Sequence, residues 1–183
     1  MWRRLEATTS LEVVSQAKSG DELSFEVLLR PLLMPAYKLA CVMLQDPQAA
    51  EDAVQEAALK AWRKLGQLRS GAPMQPWFFG IVANECRSAR RARWWSVVTG
   101  RATDRQVQSH ADSVDRGTDV QSALMRLTNR ARLVIILHYY FDMRLEEIAV
   151  VLKCRPAAVR SQLYRALDRL RSQGGLEELG NEF

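Results

Sequence analysis

Arginine recurs along the last long helical stretch of this chain, and few chemistries need it there. Between Ala157 and Arg171 stand Arg160, Arg165, Arg169 and Arg171 against a single acid, Asp168. Ahead of them, Leu145 to Leu152 has the apolar spacing of a short helix, and Lys153-Cys154-Arg155-Pro156 has the composition of a tight turn. A short helix, a turn and a basic second helix suit the DNA major groove. The residues left facing outward at the start of the second helix are Arg155, Ala158, Arg160, Ser161, Gln162 and Arg165. Arginine and glutamine can meet purine edges with two hydrogen bonds, while serine and the remaining arginines can hold phosphates.

A second basic stretch lies upstream. From Lys60 to Arg93 the bases are Lys60, Arg63, Lys64, Arg69, Arg87, Arg90, Arg91 and Arg93, and the only acid is Glu85. Two separate basic surfaces imply a polyanion touched at two places, in a chain of net charge +5. Within this stretch Trp77-Phe78-Phe79 is followed two and three turns later by Asn84 and Arg87. Aromatic rings beside amide and guanidinium groups can stack unpaired bases and hold a backbone. The same three aromatics also suit a packed core, and the sequence leaves both readings open. Asp52, Gln55 and Glu56 form a polar face that is either solvated surface or a docking surface.

Other chemistries are poorly supplied. Cys41, Cys86 and Cys154 are far apart, no Cys-x-x-Cys occurs, and His110 and His138 lie away from them. This gives no metal-ligand cluster and points to reduced thiols in apolar surroundings. No phosphate loop and no nucleophile with a base is present, so an enzyme is not expected, nor a cofactor. Met1 to Glu6 lacks the apolar core of a signal peptide, and no apolar run is expected to cross a bilayer. The expected location is the cytoplasm.

The elements that must position these residues are helical, because apolar residues recur with helical rather than strand spacing. Ser10 to Lys18 reads as a short amphipathic helix. Asp21 or Ser24 can cap the next, in which Pro31 and Pro35 predict a bend or a new helical start. Asp46-Pro47 restarts a helix that runs to about Leu65, with Ala50, Val54, Ala57, Ala58, Ala61 and Leu65 on its apolar face. Gly66 to Gln75 reads as a loop, and about 75–95 as a helix that begins apolar and ends basic. Residues 96–118 are polar and aperiodic, too long for a connection inside one compact domain. The fold class is therefore all-α with two small helical domains, 1–95 and 119–173, joined by a flexible linker at 96–118 and followed by an acidic tail at 174–183. Helices are expected near 119–127, 129–141, 145–152 and 156–173. The second core is expected from Leu124, Leu127, Val134, Ile135, Leu137, Tyr140 and Phe141 packed on Leu145, Ile148, Leu152, Val159, Leu163, Leu167 and Leu170.

Taken as a set, these blocks resemble a known family. Asp46 to Trp62 (DPQAAEDAVQEAALKAW) is similar to regions 2.1–2.2 of bacterial sigma factors, and Pro76 to Arg91 (PWFFGIVANECRSARR) to their regions 2.3–2.4. Leu145 to Arg171 resembles their region 4.2. Two such blocks separated only by a linker resemble the extracytoplasmic-function (group IV) sigma-70 subfamily, over about 11–173. The resemblance implies a protein that binds core RNA polymerase and directs promoter recognition, −10 melting and transcription initiation. It assigns Asp52, Gln55, Glu56, Lys60 and Trp62 to docking on the β′ clamp helices, with the β subunit also a partner. Arg69, Gln75, Trp77, Asn84, Arg87, Arg90 and Arg91 fall to the −10 element, and Arg155, Arg160, Ser161, Gln162 and Arg165 to the −35 element. It implies control by an anti-sigma factor as well. The chain departs from the pattern at Lys153, where the turn usually has Gly, at Arg144, where a Ser or Thr cap is usual, at Thr128, where Pro is usual, and at Ala158, where Thr is frequent. From the residues alone, two other classes stay open: a helix-turn-helix regulator that binds duplex DNA without polymerase, and a protein-interaction module.

Overall fold

The computed structural model describes residues 11–98, 123–124 and 126–172. Every regular element among them is helical. The chain divides into two compact units: among the described residues the first carries the helices before residue 99 together with Val150–Lys153, and the second the remaining residues after 122. Most of the expected linker, the helix near 119–127 apart from a few of its residues, and the tail lie outside the described residues.

In the first unit, α1 (Leu11–Lys18), α2 (Glu22–Leu44), α3 (Pro47–Lys64) and α4 (Met74–Val98) form a bundle. Helices α2, α3 and α4 each pack on the other two, and α1 lies against α2. Asp21 caps α2, its side chain accepting from Ser24 N at 2.9 Å. Asp46 caps α3, accepting from Ala49 N at 3.1 Å, and Pro47 takes the first helical position. Small residues let α3 approach its neighbours closely: Ala50, Ala53, Ala57 and Ala61 are all buried. Helix α4 answers with Phe78, Phe79, Val82, Ala83 and Cys86, each fully buried. Burying a phenylalanine ring contributes about 2 kcal/mol. Helix α4 runs to Val98, past the expected domain limit at 95.

Of the bend or new helical start expected at Pro31 and Pro35, the new start is not seen: the helix is continuous from Glu22 to Leu44. Each proline removes one backbone hydrogen bond, leaving the carbonyls of Val27 and Pro31 without their helical donors. Both residues are exposed, so water can satisfy those carbonyls, while Leu29, Leu32, Ala36, Leu39 and Ala40 hold the other face in the core. Helix α2 is long and apolar enough, by length and composition alone, to cross a membrane; its apolar residues are accounted for by the three neighbouring helices that pack on it.

After residue 122 come α5 (Asn129–Ile135), a π-helical turn (Ile136–Tyr140), α6 (Leu145–Leu152) and α7 (Pro156–Ser172). Thr128 caps α5, accepting from Ala131 N at 3.4 Å. The buried Arg132 donates to the carbonyls of Leu124 (2.8 Å) and Leu127 (3.2 Å), tying the preceding segment to α5. The expected helix 129–141 is α-helical only to Ile135. The π turn adds a residue to the register, and Phe141 N bonds back to Ile136 O at 3.1 Å. Tyr140 is therefore turned outward and stands 49% exposed rather than in the core, while Leu137 and Met143 are buried. The remaining core expectations hold for Leu127, Val134, Ile135, Leu137, Ile148, Leu152, Val159, Leu163 and Leu170, all buried. Leu124, Phe141, Leu145 and Leu167 are half-buried.

The α6–α7 turn is a Schellman motif. Cys154 N donates to Ala149 O at 3.0 Å and Lys153 N to Val150 O at 3.3 Å, with Lys153 left-handed at φ 51°. At the other end of α6, Arg144 occupies the cap position. Its N–H donates to Glu147 Oε2 at 2.8 Å, and its carbonyl accepts from Ile148 N at 3.0 Å. Half of a capping box is present; the half that a Ser or Thr side chain makes is missing.

Candidate functional site

Three surfaces gather the residues singled out in the sequence. The first is on α3. Asp52 and Gln55 are exposed and Glu56 is half-exposed, all on one helical face. Gln55 Nε2 donates to Glu51 Oε1 at 3.3 Å. The sequence reading missed Leu59, 53% exposed and seven residues beyond Asp52 on the same face. An apolar side chain at a polar helical position was the signal that could have found it. Lys60 and Trp62 have partners inside the bundle. Lys60 Nζ lies 3.1 Å from Glu56 Oε1 and 2.6 Å from Glu85 Oε2. The Glu85 hydrogen bond, then that to Glu56, raises the Lys60 pKa above its ordinary value. Trp62 packs on Phe25, ring centroids 5.0 Å apart.

The second surface runs along α4 and the loop before it. The loop is pinned from below: Leu65 and Leu68 are buried with Ala17, and Val14, Phe25, Leu28, Met74 and Trp77 pack around them. Lys18 Nζ donates to Leu68 O, and Ala72 N to Arg69 O at 3.0 Å, with Gly71 supplying a φ of +74° in the turn. Arg69 stands exposed at the rim and Gln75 is half-buried. The aromatic run divides. Phe78 and Phe79 are core, whereas Trp77 is half-buried against the pinned loop. Asn84 and Arg87 are half-buried further along, and Arg90 and Arg91 are exposed, with Arg91 Nη2 donating to Ser88 Oγ at 3.3 Å. Trp94, 59% exposed beside these arginines, was not singled out from the sequence. Arg93 Nη1 reaches Asp46 Oδ2 at 3.4 Å, so the cap of α3 also anchors α4.

The third surface is α7. Arg155, Arg160, Ser161 and Arg165 are exposed. Arg165 Nε donates to Ser161 O at 3.0 Å, which lays the guanidinium along the helix. Tyr164, 62% exposed among them, is a further aromatic that the sequence reading passed over. Gln162 is half-buried on the flank facing α5, where its Oε1 accepts from Arg130 Nε at 3.0 Å.

Among the described residues no group of His, Cys, Asp and Glu could hold a metal ion. Cys86 is fully buried, and desolvation pushes its thiol up to about 12, so it is a protonated core residue at neutral pH. What the surfaces offer is charge, amides and aromatic rings: equipment for binding.

Comparison with known proteins finds two family matches. Residues 28–96 match sigma-70 region 2, and residues 118–170 match sigma-70, region 4. The chain is 32% identical over 174 residues to the ECF RNA polymerase sigma factor SigL of Mycobacterium tuberculosis, covering 91% of this chain and 97% of SigL. It is 30% identical over 145 residues to the probable RNA polymerase sigma factor RfaY of Xanthomonas campestris pv. campestris; the match covers 74% of this chain but only 36% of that longer relative. Among solved structures, the sigma factor RpoE in complex with the anti-sigma factor NepR from Bartonella quintana superposes with a TM-score of 0.69 at 25% identity, covering 84% of this chain and 98% of that one.

Proposed function

Because the chain belongs to the sigma-70 family, and within it to the extracytoplasmic-function group, we propose that its three surfaces divide the work of transcription initiation among themselves. The α3 face, through Asp52, Gln55 and Glu56, docks on the β′ clamp helices of core RNA polymerase; Lys60 and Trp62 hold that face in shape from behind. Arg69, Gln75, Trp77, Asn84, Arg87, Arg90 and Arg91 capture the opened −10 element. Arg155, Arg160, Ser161, Gln162 and Arg165 on α7 engage the −35 element. The work is done in the cytoplasm by binding and strand opening. The partners are the β′ and β subunits of polymerase, promoter DNA and an anti-sigma protein of the kind seen with the Bartonella relative.

The observation that carries this reading is the pair of cross-links between α3 and α4, Lys60 to Glu85 and Arg93 to Asp46. A helix with an acidic outer face and a helix with a basic outer end are thereby held in one rigid bundle. A partner that grips α3 fixes where α4 meets DNA. Each DNA surface alone is small, so joint engagement through polymerase raises the effective concentration of the second contact. Melting costs base stacking, and holding extruded bases against aromatic and polar groups offsets part of that cost.

Run-off transcription with purified bacterial core enzyme tests the whole reading: start-site selection must depend on the added chain. Reversing the charge of Asp52 or Glu56 is expected to weaken core binding, and Arg160→Ala or Arg165→Ala to weaken −35-dependent output with core binding intact. Tight binding to duplex DNA in the absence of polymerase, with no start-site selection in its presence, would assign the chain to ordinary helix-turn-helix regulators.

A further inference from the structure

Gln162 stands in the middle of an arginine-bearing flank of α7. Arg155, Ala158, Gln162, Arg165 and Arg169 follow one another at helical spacings of three, four, three and four residues. The glutamine is held from outside its own helix, by the Arg130 Nε on α5 at 3.0 Å. A guanidinium only donates hydrogen bonds, so the atom it meets must be the amide oxygen. This fixes which way the amide faces. Its acceptor is turned to Arg130, and its two N–H hydrogens are left for a ligand; among the described residues no other group takes them.

That orientation has a consequence for base reading. A free glutamine pairs with adenine by accepting from N6 and donating to N7. Here a positive guanidinium already engages one of the two lone pairs of that oxygen, and its charge weakens acceptance of a second donor hydrogen at the other. The amide is left as a donor group. In the major groove guanine presents two acceptors, O6 and N7, whereas adenine presents one at N7 and thymine one at O4, and cytosine presents only a donor.

On the reading that α7 engages the −35 element, we infer that Arg130 and Gln162 act as one specificity-determining unit, in which Gln162 donates to guanine and Arg130, a positioning residue, weakens the second hydrogen bond that would otherwise favour adenine. The unit spans two helices, so the base preference at that position is written partly outside the recognition helix.

The test is transcription from a promoter library randomised across the −35 element, using the full chain with bacterial core polymerase. Gln162→Ala should flatten the preference at one position and thereby identify it. The wild-type chain should favour guanine over adenine there by roughly tenfold, the size of one good bidentate contact. Arg130→Ala frees the oxygen and should move that position toward adenine several-fold, leaving the other positions unchanged. Arg130→Lys keeps a donor and should retain the wild-type preference, which a loss of folding could not mimic. A wild-type preference for adenine at that position, a Gln162→Ala profile identical to wild type, or an Arg130→Ala profile that does not move overturns the inference. Arg165→Ala separates the two levels. If wild type has a −35 preference that Arg165→Ala abolishes and Gln162→Ala leaves intact, only the Arg130–Gln162 unit fails. If wild type has no −35 preference at all, the assignment of α7 fails with it.

Discussion

Replacing Lys153 by glycine should make the α6–α7 hairpin more stable, although it removes a side chain and adds none. Lys153 sits at the C′ position of α6 with φ 51°, and both hydrogen bonds of the Schellman motif are already formed around it. The backbone is therefore held in a conformation that places a Cβ against the neighbouring carbonyl, at a cost of about 1–2 kcal/mol. Glycine removes that cost. It also widens the unfolded ensemble, which returns roughly 0.4–1 kcal/mol. The balance is a gain of about 0.5–1 kcal/mol. For a unit of this size, that is a rise of roughly 3–6 °C in the unfolding midpoint. Lys153→Ala is the control, because it keeps the left-handed strain and deletes the charge; its stability should stay near wild type. Thermal unfolding followed by circular dichroism, together with urea titration, measures both. A glycine variant no more stable than the alanine variant would refute the argument that backbone strain, rather than the lysine side chain, sets the energy of this turn. Run-off output from the two variants then separates stability from any contact made by the lysine ammonium.

Three further outcomes are expected. Arg144→Thr should complete the capping box of α6 and add about 1 kcal/mol in urea unfolding, whereas Glu147→Ala, which removes the half now present, should lower stability. Lys60→Met should lower stability by leaving the nearly buried Glu85 carboxylate without its cation; Lys60→Arg should recover most of the loss, and chemical denaturation reads both. Cys86 should resist alkylation in the folded protein at pH 8 and react after unfolding, as a thiol-reactive dye will report. Its folded pKa of about 12 lies above the ordinary 9.0, so the folded state holds more protons between those values. The stability due to this thiol is full below pH 9 and declines as pH rises toward 12, which a midpoint measured across alkaline pH will follow.

Much of this molecule is written in local signals. Asp46-Pro47 announces α3 because a side-chain acceptor and a residue without an N–H suit the first helical turn, and the structure uses both. The α6–turn–α7 unit is legible for the same reason, with its apolar spacing and its Pro156. What escaped depends on contacts distant in sequence. Pro31 and Pro35 read as a bend or a new start because the local cost is visible, while the packing of α2 against α3 and α4 that keeps the helix continuous is not. Tyr140 read as core because helical spacing was carried through a segment that the π turn puts out of register. Lys60 read as a surface cation because its partner Glu85 is 25 residues away. Gln162 read as a free amide because nothing nearby in sequence points to Arg130. In each case a residue's role was set by which neighbour the fold brought to it.

The two prolines of α2 also shape how the first bundle comes apart. With two rungs of its backbone ladder absent, the helix has a seam near its middle. The leading segment, with Leu23 and Val27 largely exposed and Phe25 and Leu28 only partly buried against the loop cluster, has less to lose by peeling away. The trailing segment, clasped through Leu39, Ala40, Met43 and Leu44, has much to lose. Amide exchange should accordingly run in two tempos along one helix, fast before the seam and slow after it. The bundle can breathe at that edge while α3 and α4 stay joined.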